Sequence, residues 1–320
     1  MLVVAVDPKA PDPRVVADAA ARLRAGGLVA FPTETVYGLG ALALDREAVR
    51  RVYATKGRPA THPLIVHVLG EADARPLAAA WPPLARDLAR AFWPGPLTLV
   101  VAKSDAVPGE ITGGSAAVAV RAPSHPVARA LLAAVGAPVV APSANRYQSL
   151  SPTRAEHVAA SLGDADVLVL DAGACPSGIE STVVDARDGR VLRPGALALD
   201  ALRAVAPSVH YATIDAPAGA ARESPGQDPR HYAPRTPLAI APDRASALAA
   251  RAPGVAVVLF GEPAEGARAL PADPAAAGAA LYALLHELDR AGLARIVVEA
   301  PPAAPGWEAI ADRLRRATAR

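Results

Sequence analysis

Apolar runs of strand length alternate with amphipathic segments through the first two thirds of this chain. Val3–Val6 predicts a strand, and the stretch from Pro13 to about Ala25 a helix, with Asp12 as N-cap, Pro13 in the first turn and Gly26-Gly27 past its end. Leu28 to Phe31 reads as a buried strand that Pro32 ends, because proline has no N–H to give to a ladder. A second helix starts at Asp45, turns Val49, Val52 and Tyr53 inward and delivers the chain to Lys56-Gly57-Arg58-Pro59. Further strands are expected at Leu64–Val68, Leu97–Val101, Ala117–Arg121, Val139–Ala141 and Val167–Leu170. Helices are expected at 84–92, at Pro126–Val135 with Ser124 as cap, and from Thr153, whose spacing to Glu156 fits a capping box. Thr182–Asp185 and Val191–Arg193 predict a hairpin turning near Asp188-Gly189.

The pattern breaks at 206–237, where Pro207, Pro217, Pro225, Pro229, Pro234 and Pro237 interrupt any period and predict a linker. Beyond it, Leu238–Ile240, Ser246–Arg251, Val255–Phe260, Gly278–Arg290, Arg295–Glu299 and Trp307–Ala319 alternate strand and helix. That alternation predicts a small three-layer α/β domain on a parallel sheet. The expected division is therefore 1–205, a linker at 206–237, and a second domain at 238–320. No internal repeat is evident.

Composition narrows the class. Hydrophobic residues make up 52% of 320 positions but aromatics only 4%, so Ala, Val and Leu must build the core. A formal net charge of +2 is too small to argue by itself for nucleic-acid binding. Cys175 is the only cysteine, which excludes an intrachain disulfide and a multi-cysteine zinc site. The N-terminal apolar run, Leu2 to Val6, lacks the basic and apolar regions of a signal peptide, and no uncharged stretch is long enough to span a bilayer. A cytoplasmic protein without membrane contact is the expectation.

The 33 basic residues include only three lysines, Lys9, Lys56 and Lys103. Lys56, Arg58, Arg121 and Arg193 all fall at loops or strand ends, where convergence on a polyanion competes with simple surface solvation. Arginine forks and a lysine point charge suit phosphate oxygens, and positioning plus charge stabilisation can carry a nucleotidyl transfer. No Walker loop, G-x-S-x-G elbow or H-E-x-x-H is present. The hydroxyl-rich loops Ser143–Asn145, Ser149–Thr153 and Ser177–Thr182 could bond a nucleotide or an amino acid, Ser151 and Thr153 at an expected helix N-terminus. The stretch Phe31–Gly40 places two hydroxyls and a carboxylate at a strand end, with Gly38 and Gly40 permitting turns or close approach to a ligand. His67, within a strand, is read as a core histidine or as a ligand contact.

Taken together, Phe31–Gly40, Lys56-Gly57-Arg58-Pro59 with Pro63–Val68, Trp93-Pro94-Gly95-Pro96-Leu97-Thr98, Val118–Pro123, Ala141–Asn145, Ser151-Pro152-Thr153, Glu180–Val183 and Leu192–Gly195 resemble the YrdC-like threonylcarbamoyl-AMP synthases. Their order and spacing match over most of 10–205. Ser224-Pro225-Gly226 and Arg230-His231-Tyr232-Ala233-Pro234 are similar to the linker of the long, two-domain form.

The resemblance implies an α/β fold with a twisted, open mixed sheet, a smaller Rossmann-like second domain, and a reaction without a protein nucleophile. L-threonine and bicarbonate would form a carbamate that attacks the ATP α-phosphate. The adenylate, released with pyrophosphate, would pass to a separate transferase complex that modifies tRNA; direct tRNA contact stays open. Mg²⁺ would accompany ATP with no side-chain metal site. By position, Thr35, His67, Arg121 and Ser181 would contact threonine, Arg121 pairing its carboxylate. Lys56, Arg58, Ser143, Asn145, Ser151 and Arg193 would hold ATP, with Lys56 and Arg58 stabilising charge and Tyr232 folding over the nucleotide. Three places depart from the pattern: His62, Ala117 and Gln227-Asp228-Pro229. The rival readings are a non-catalytic RNA-binding module using the basic cleft, and a carbamoyl-transfer enzyme of hydrogenase maturation, whose zinc-finger cysteines and acylphosphatase region are missing here.

Overall fold

Eleven strands pair into one sheet in the computed structural model of the chain, which describes residues 1–211, 228 and 230–319. In chain order its strands are β1 (Leu2–Ala5), β2 (Leu28–Pro32), β3 (Tyr37–Leu42), β4 (Ile65–His67), β5 (Leu97–Ala102), β6 (Ala117–Arg121), β7 (Val139–Val140), β8 (Val167–Asp171), β9 (Thr182–Asp185), β10 (Arg190–Arg193) and β11 (His210–Tyr211). They lie in the order β1-β8-β2-β3-β7-β4-β6-β5-β9-β10-β11, with parallel and antiparallel neighbours mixed. Helices pack on both faces because both faces are apolar. Pro13–Arg24 and Pro126–Val135 cover Val29, Phe31, Val139 and Leu170; Arg46–Lys56, Pro83–Phe92 and Ala155–Leu162 cover Leu39, Val66, Leu99 and Val120.

Several local expectations change. The stretch 31–40 is a β-hairpin, Phe31 opposite Gly38 and Val29 opposite Gly40, turned by Thr33–Val36. Gly38 and Gly40 therefore belong to a strand, and their close approach is to the protein itself. A Cβ on Gly40 would lie 2.8 Å from the Phe31 ring and 3.0 Å from the Val29 carbonyl oxygen. The helix at Pro126 is capped by His125, whose ring accepts from the Val127 N–H at 3.2 Å, and not by Ser124. The next helix begins at Ala155, so Thr153 is not its cap; the Thr153 N–H donates to His157 Nδ1 at 3.3 Å.

The start of the expected linker is ordered. Val209 is buried and β11 adds an edge strand parallel to β10. The calls on Ser224-Pro225-Gly226, Gln227 and Pro229 lie outside the described residues.

The second sheet is four-stranded and all parallel: β12 (Leu238–Ala241), β13 (Val255–Phe260), β14 (Arg268–Leu270) and β15 (Arg295–Glu299), in the order β12-β15-β13-β14. Alternation along its strands loads both faces. Val257, Leu259 and Val297 meet the helix Arg244–Ala249, while Val258, Phe260, Ile296 and Val298 meet the helices Pro274–Arg290 and Glu308–Thr318. Val36, Leu150 and Ile179 of the first unit join the latter cluster, with Tyr232 between the two.

Candidate active site

One row of register positions makes the floor of the site. β4 and β6 run parallel with His67 opposite Arg121, and Thr98 of antiparallel β5 lies on the other side of Arg121. Paired positions put their side chains on one face of a sheet, about 5 Å apart. Behind them on that face stand Ile65, Val100, Ala117, Ala119 and Val183. Of these, Ile65 reaches the pocket with His67 and Arg121.

Eight of the eleven sequence-predicted residues line the resulting pocket: Thr35, Arg58, His67, Arg121, Ser143, Ser181, Arg193 and Tyr232. Lys56, Asn145 and Ser151 do not. The buried Lys56 ammonium donates to the carbonyls of Ser143 and Asn145, and so holds the loop that carries Ser143. Burial foremost, and then Arg58, lower its pKa well below the ordinary lysine range. Asn145 donates to the carbonyls of Arg146 and Ser149 at 3.0 and 2.8 Å. Ser151 donates to Glu180 at 2.5 Å.

Within the pocket several polar groups have unused capacity. Arg121 Nη2 forms an ion pair with Glu34 Oε1 at 2.8 Å, while its Nε has no hydrogen-bond partner. Burial would raise the Glu34 carboxyl, but Arg121 first, with the backbone N–H groups of Glu34 and Ser124, more than offsets it and holds it below the usual range. Arg58 donates to the Pro63 carbonyl at 3.1 Å while its Nε has no acceptor. His67 is pushed down to about 3 by burial and then by Arg121, so its imidazole is neutral and its Nδ1 unpartnered. Buried polar atoms are normally paired, and orphans that converge on one concavity point to a polar ligand. Arg193 is oriented by Ser181 through Nε and Nη2, which leaves its Nη1 for a ligand: Nη2 bonds the Ser181 carbonyl at 2.9 Å and the Ser181 hydroxyl at 3.1 Å, and that hydroxyl meets Thr98 Oγ1 at 2.8 Å.

The strap 230–237 adds to the pocket wall. Its Ala233 N–H donates to the Gln148 carbonyl at 2.9 Å, and His231 and Tyr232 are both buried against the pocket. His231, Glu34 and Glu180 are not among the expected site residues. All three sit inside quoted motifs, Phe31–Gly40, Glu180–Val183 and Arg230–Pro234, so a signal existed; what the sequence does not show is the distant arginine that each carboxylate faces. Of the departures, His62 Nδ1 lies 3.3 Å from Asp228 Oδ2, so two of them meet. Ala117 does not line the pocket.

Residues 21–195 match the Sua5/YciO/YrdC family profile, described as "Telomere recombination", and 197–319 match the profile of the threonylcarbamoyl-AMP synthase C-terminal domain. The chain belongs to the Sua5/YciO/YrdC family, in its two-domain form. Among its relatives, the threonylcarbamoyl-AMP synthase of Pyrococcus abyssi is 46% identical over 224 residues, 68% of this chain and 64% of that protein. The match thus spans a little under two thirds of the archaeal relative. The Bacillus subtilis synthase is 44% identical over 232 residues, 72% of this chain and 67% of its own. Over 99% of this chain and 98% of the other, the fold superposes on P. abyssi Sua5 crystallised with L-threonine, with a TM-score of 0.89 at 35% identity. Escherichia coli YciO, at 23% identity and a TM-score of 0.56, shares the fold of the first unit.

Proposed function

We propose that this family member is an ATP-dependent L-threonylcarbamoyladenylate synthase. The observation that carries the reading is the pocket itself: three buried arginines and several small hydroxyls converge, with unpartnered N–H groups on Arg58 and Arg121. The names of the relatives and the threonine bound to P. abyssi Sua5 support it. L-threonine and bicarbonate would condense to a carbamate with loss of water. A carbamate oxygen would then attack the α-phosphorus of ATP, and pyrophosphate would leave.

Such a displacement needs alignment and charge stabilisation and no protein nucleophile. Arg121 would fork onto the threonine carboxylate, neutral His67 would bond its hydroxyl, and Thr35 and Ser181 would orient it. Arg58 and Arg193 would take phosphate oxygens, with Lys56 holding the Ser143–Asn145 loop and Tyr232 covering the nucleotide. Mg²⁺ would neutralise charge on the triphosphate, bound by phosphate oxygens and water. That suits a site whose carboxylates, Glu180 in the pocket wall and Glu34 beside Arg121, already face arginines. The adenylate product, a reactive mixed anhydride, implies a downstream transferase acting in tRNA modification.

The test is pyrophosphate release from ATP with L-threonine and bicarbonate each present or omitted. Release is expected only with both. A folded protein that releases nothing under any combination, yet binds RNA in a salt-dependent way, would replace this reading with a nucleic-acid-binding one.

A further inference from the structure

Glu180 is a buried carboxylate in the wall of the pocket that Arg58, Arg121 and Arg193 also line. Left alone, it would repel a polyphosphate and compete for Arg193. The second unit supplies its partner. Arg313, 1% exposed on the helix Glu308–Thr318, donates from Nε to Glu180 Oε2 at 2.7 Å and from Nη2 to the Pro194 carbonyl at 3.0 Å. Its guanidinium carbon lies 4.7 Å from the centre of the Tyr232 ring. Tyr282, on the helix Pro274–Arg290, donates to both Glu180 oxygens at 3.2 Å. Burial would raise the Glu180 carboxyl; Arg313 first and Arg193 second more than offset it, and it stays ionised below the usual range.

We infer that Arg313 is a positioning residue of the nucleotide site, neutralising Glu180 so that Arg193 stays available to phosphate and seating Tyr232 in the pocket wall. The inference rests on the ATP-dependent reading above. Asp312, the other carboxylate on Arg313, also has Arg315 and Arg316 at 2.8 and 2.9 Å, so loss of Arg313 leaves Glu180 as the group in need of a cation. Arg193 is the cation that remains beside it.

The experiment is titration calorimetry of Mg-ATP on four full-length proteins: wild type, Arg313→Met, Glu180→Gln and the double variant. Arg313→Met should weaken ATP binding about tenfold or more, because one partner of a buried ion pair has been removed. The double variant should return to within about threefold of Glu180→Gln alone, since the charge conflict is gone. A role confined to docking the two units would lower the melting temperature of Arg313→Met while leaving the ATP affinity of the folded protein unchanged. Unchanged affinity in Arg313→Met, or a double variant as weak as the single, would therefore overturn the inference. Arg313→Gln, with the same expectations, replaces the methionine variant if that does not fold. Wild type that binds ATP but releases no pyrophosphate would end the synthase reading and leave this one standing; wild type that binds no ATP would end both.

Discussion

Arg121 sits against Glu34 at ion-pair distance, with its Nε lacking a hydrogen-bond partner. The carboxylate keeps the guanidinium in place while leaving Nε for a second anion. Replacing Arg121 by Ala should raise the threonine concentration needed for half-maximal pyrophosphate release by about 2–3 kcal/mol, roughly 30- to 150-fold, with a much smaller change for ATP. Equal changes for both substrates would remove its carboxylate role. A different residue pair governs pH. His157 and His286 stack at 3.9 Å across the two units, near Arg154, Arg290, Glu156 and Asp289. Burial first, then His286 and Arg290, push His157 down to about 3. The unfolded chain thus binds protons that the folded one refuses below about 6.5. The stability the neutral ring contributes is complete above that pH and is lost as the pH falls towards 3. Denaturant midpoints at pH 7 and 5 should show this decline in wild type and a shallower one in His157→Phe. Parallel declines would assign the acid sensitivity elsewhere.

At the scale of elements, strands were the most legible part of the sequence. Val255–Phe260 and Arg295–Glu299 stand as their apolar runs predict, because a parallel strand buried on both faces has little else it can be. Helix starts were less legible: Ser124 and Thr153 are good capping residues by type, but His125 caps one helix and Arg154 precedes the other with no side-chain cap. Three-residue β14 was invisible, having too few positions to show a period. The site residues that could be read stand in motifs at strand ends. Lys56 and Ser151 could be seen as polar near the site, but not that a carbonyl pair and a carboxylate would hold them. The hairpin 31–40 shows the same limit, since its glycines serve packing that only the pairing reveals. Gly40→Ala should destabilise the fold by about 1–3 kcal/mol, measured by urea unfolding, because the Val29 carbonyl cannot retreat from the new methyl. A change below half a kcal/mol would mean that the Phe31 ring yields instead.

Across the whole molecule, the two units share more than a boundary. Glu180 and Arg313 are 133 residues apart in sequence, and nothing local to either announces the other. The same holds for Tyr282 on Glu180 and for His286, whose Nε2 lies 3.0 Å from the Ser151 carbonyl oxygen. Each of these contacts buries a group that would be left without its partner if one unit opened alone, and the strap would lose its seat as well. The thermodynamic consequence is cooperativity: neither unit has a low-energy route to unfolding by itself. Scanning calorimetry should therefore record one transition whose van't Hoff and calorimetric enthalpies agree. Two resolved transitions would mean that the units melt as neighbours, and the substitution Arg313→Met should move a single-transition protein toward that behaviour.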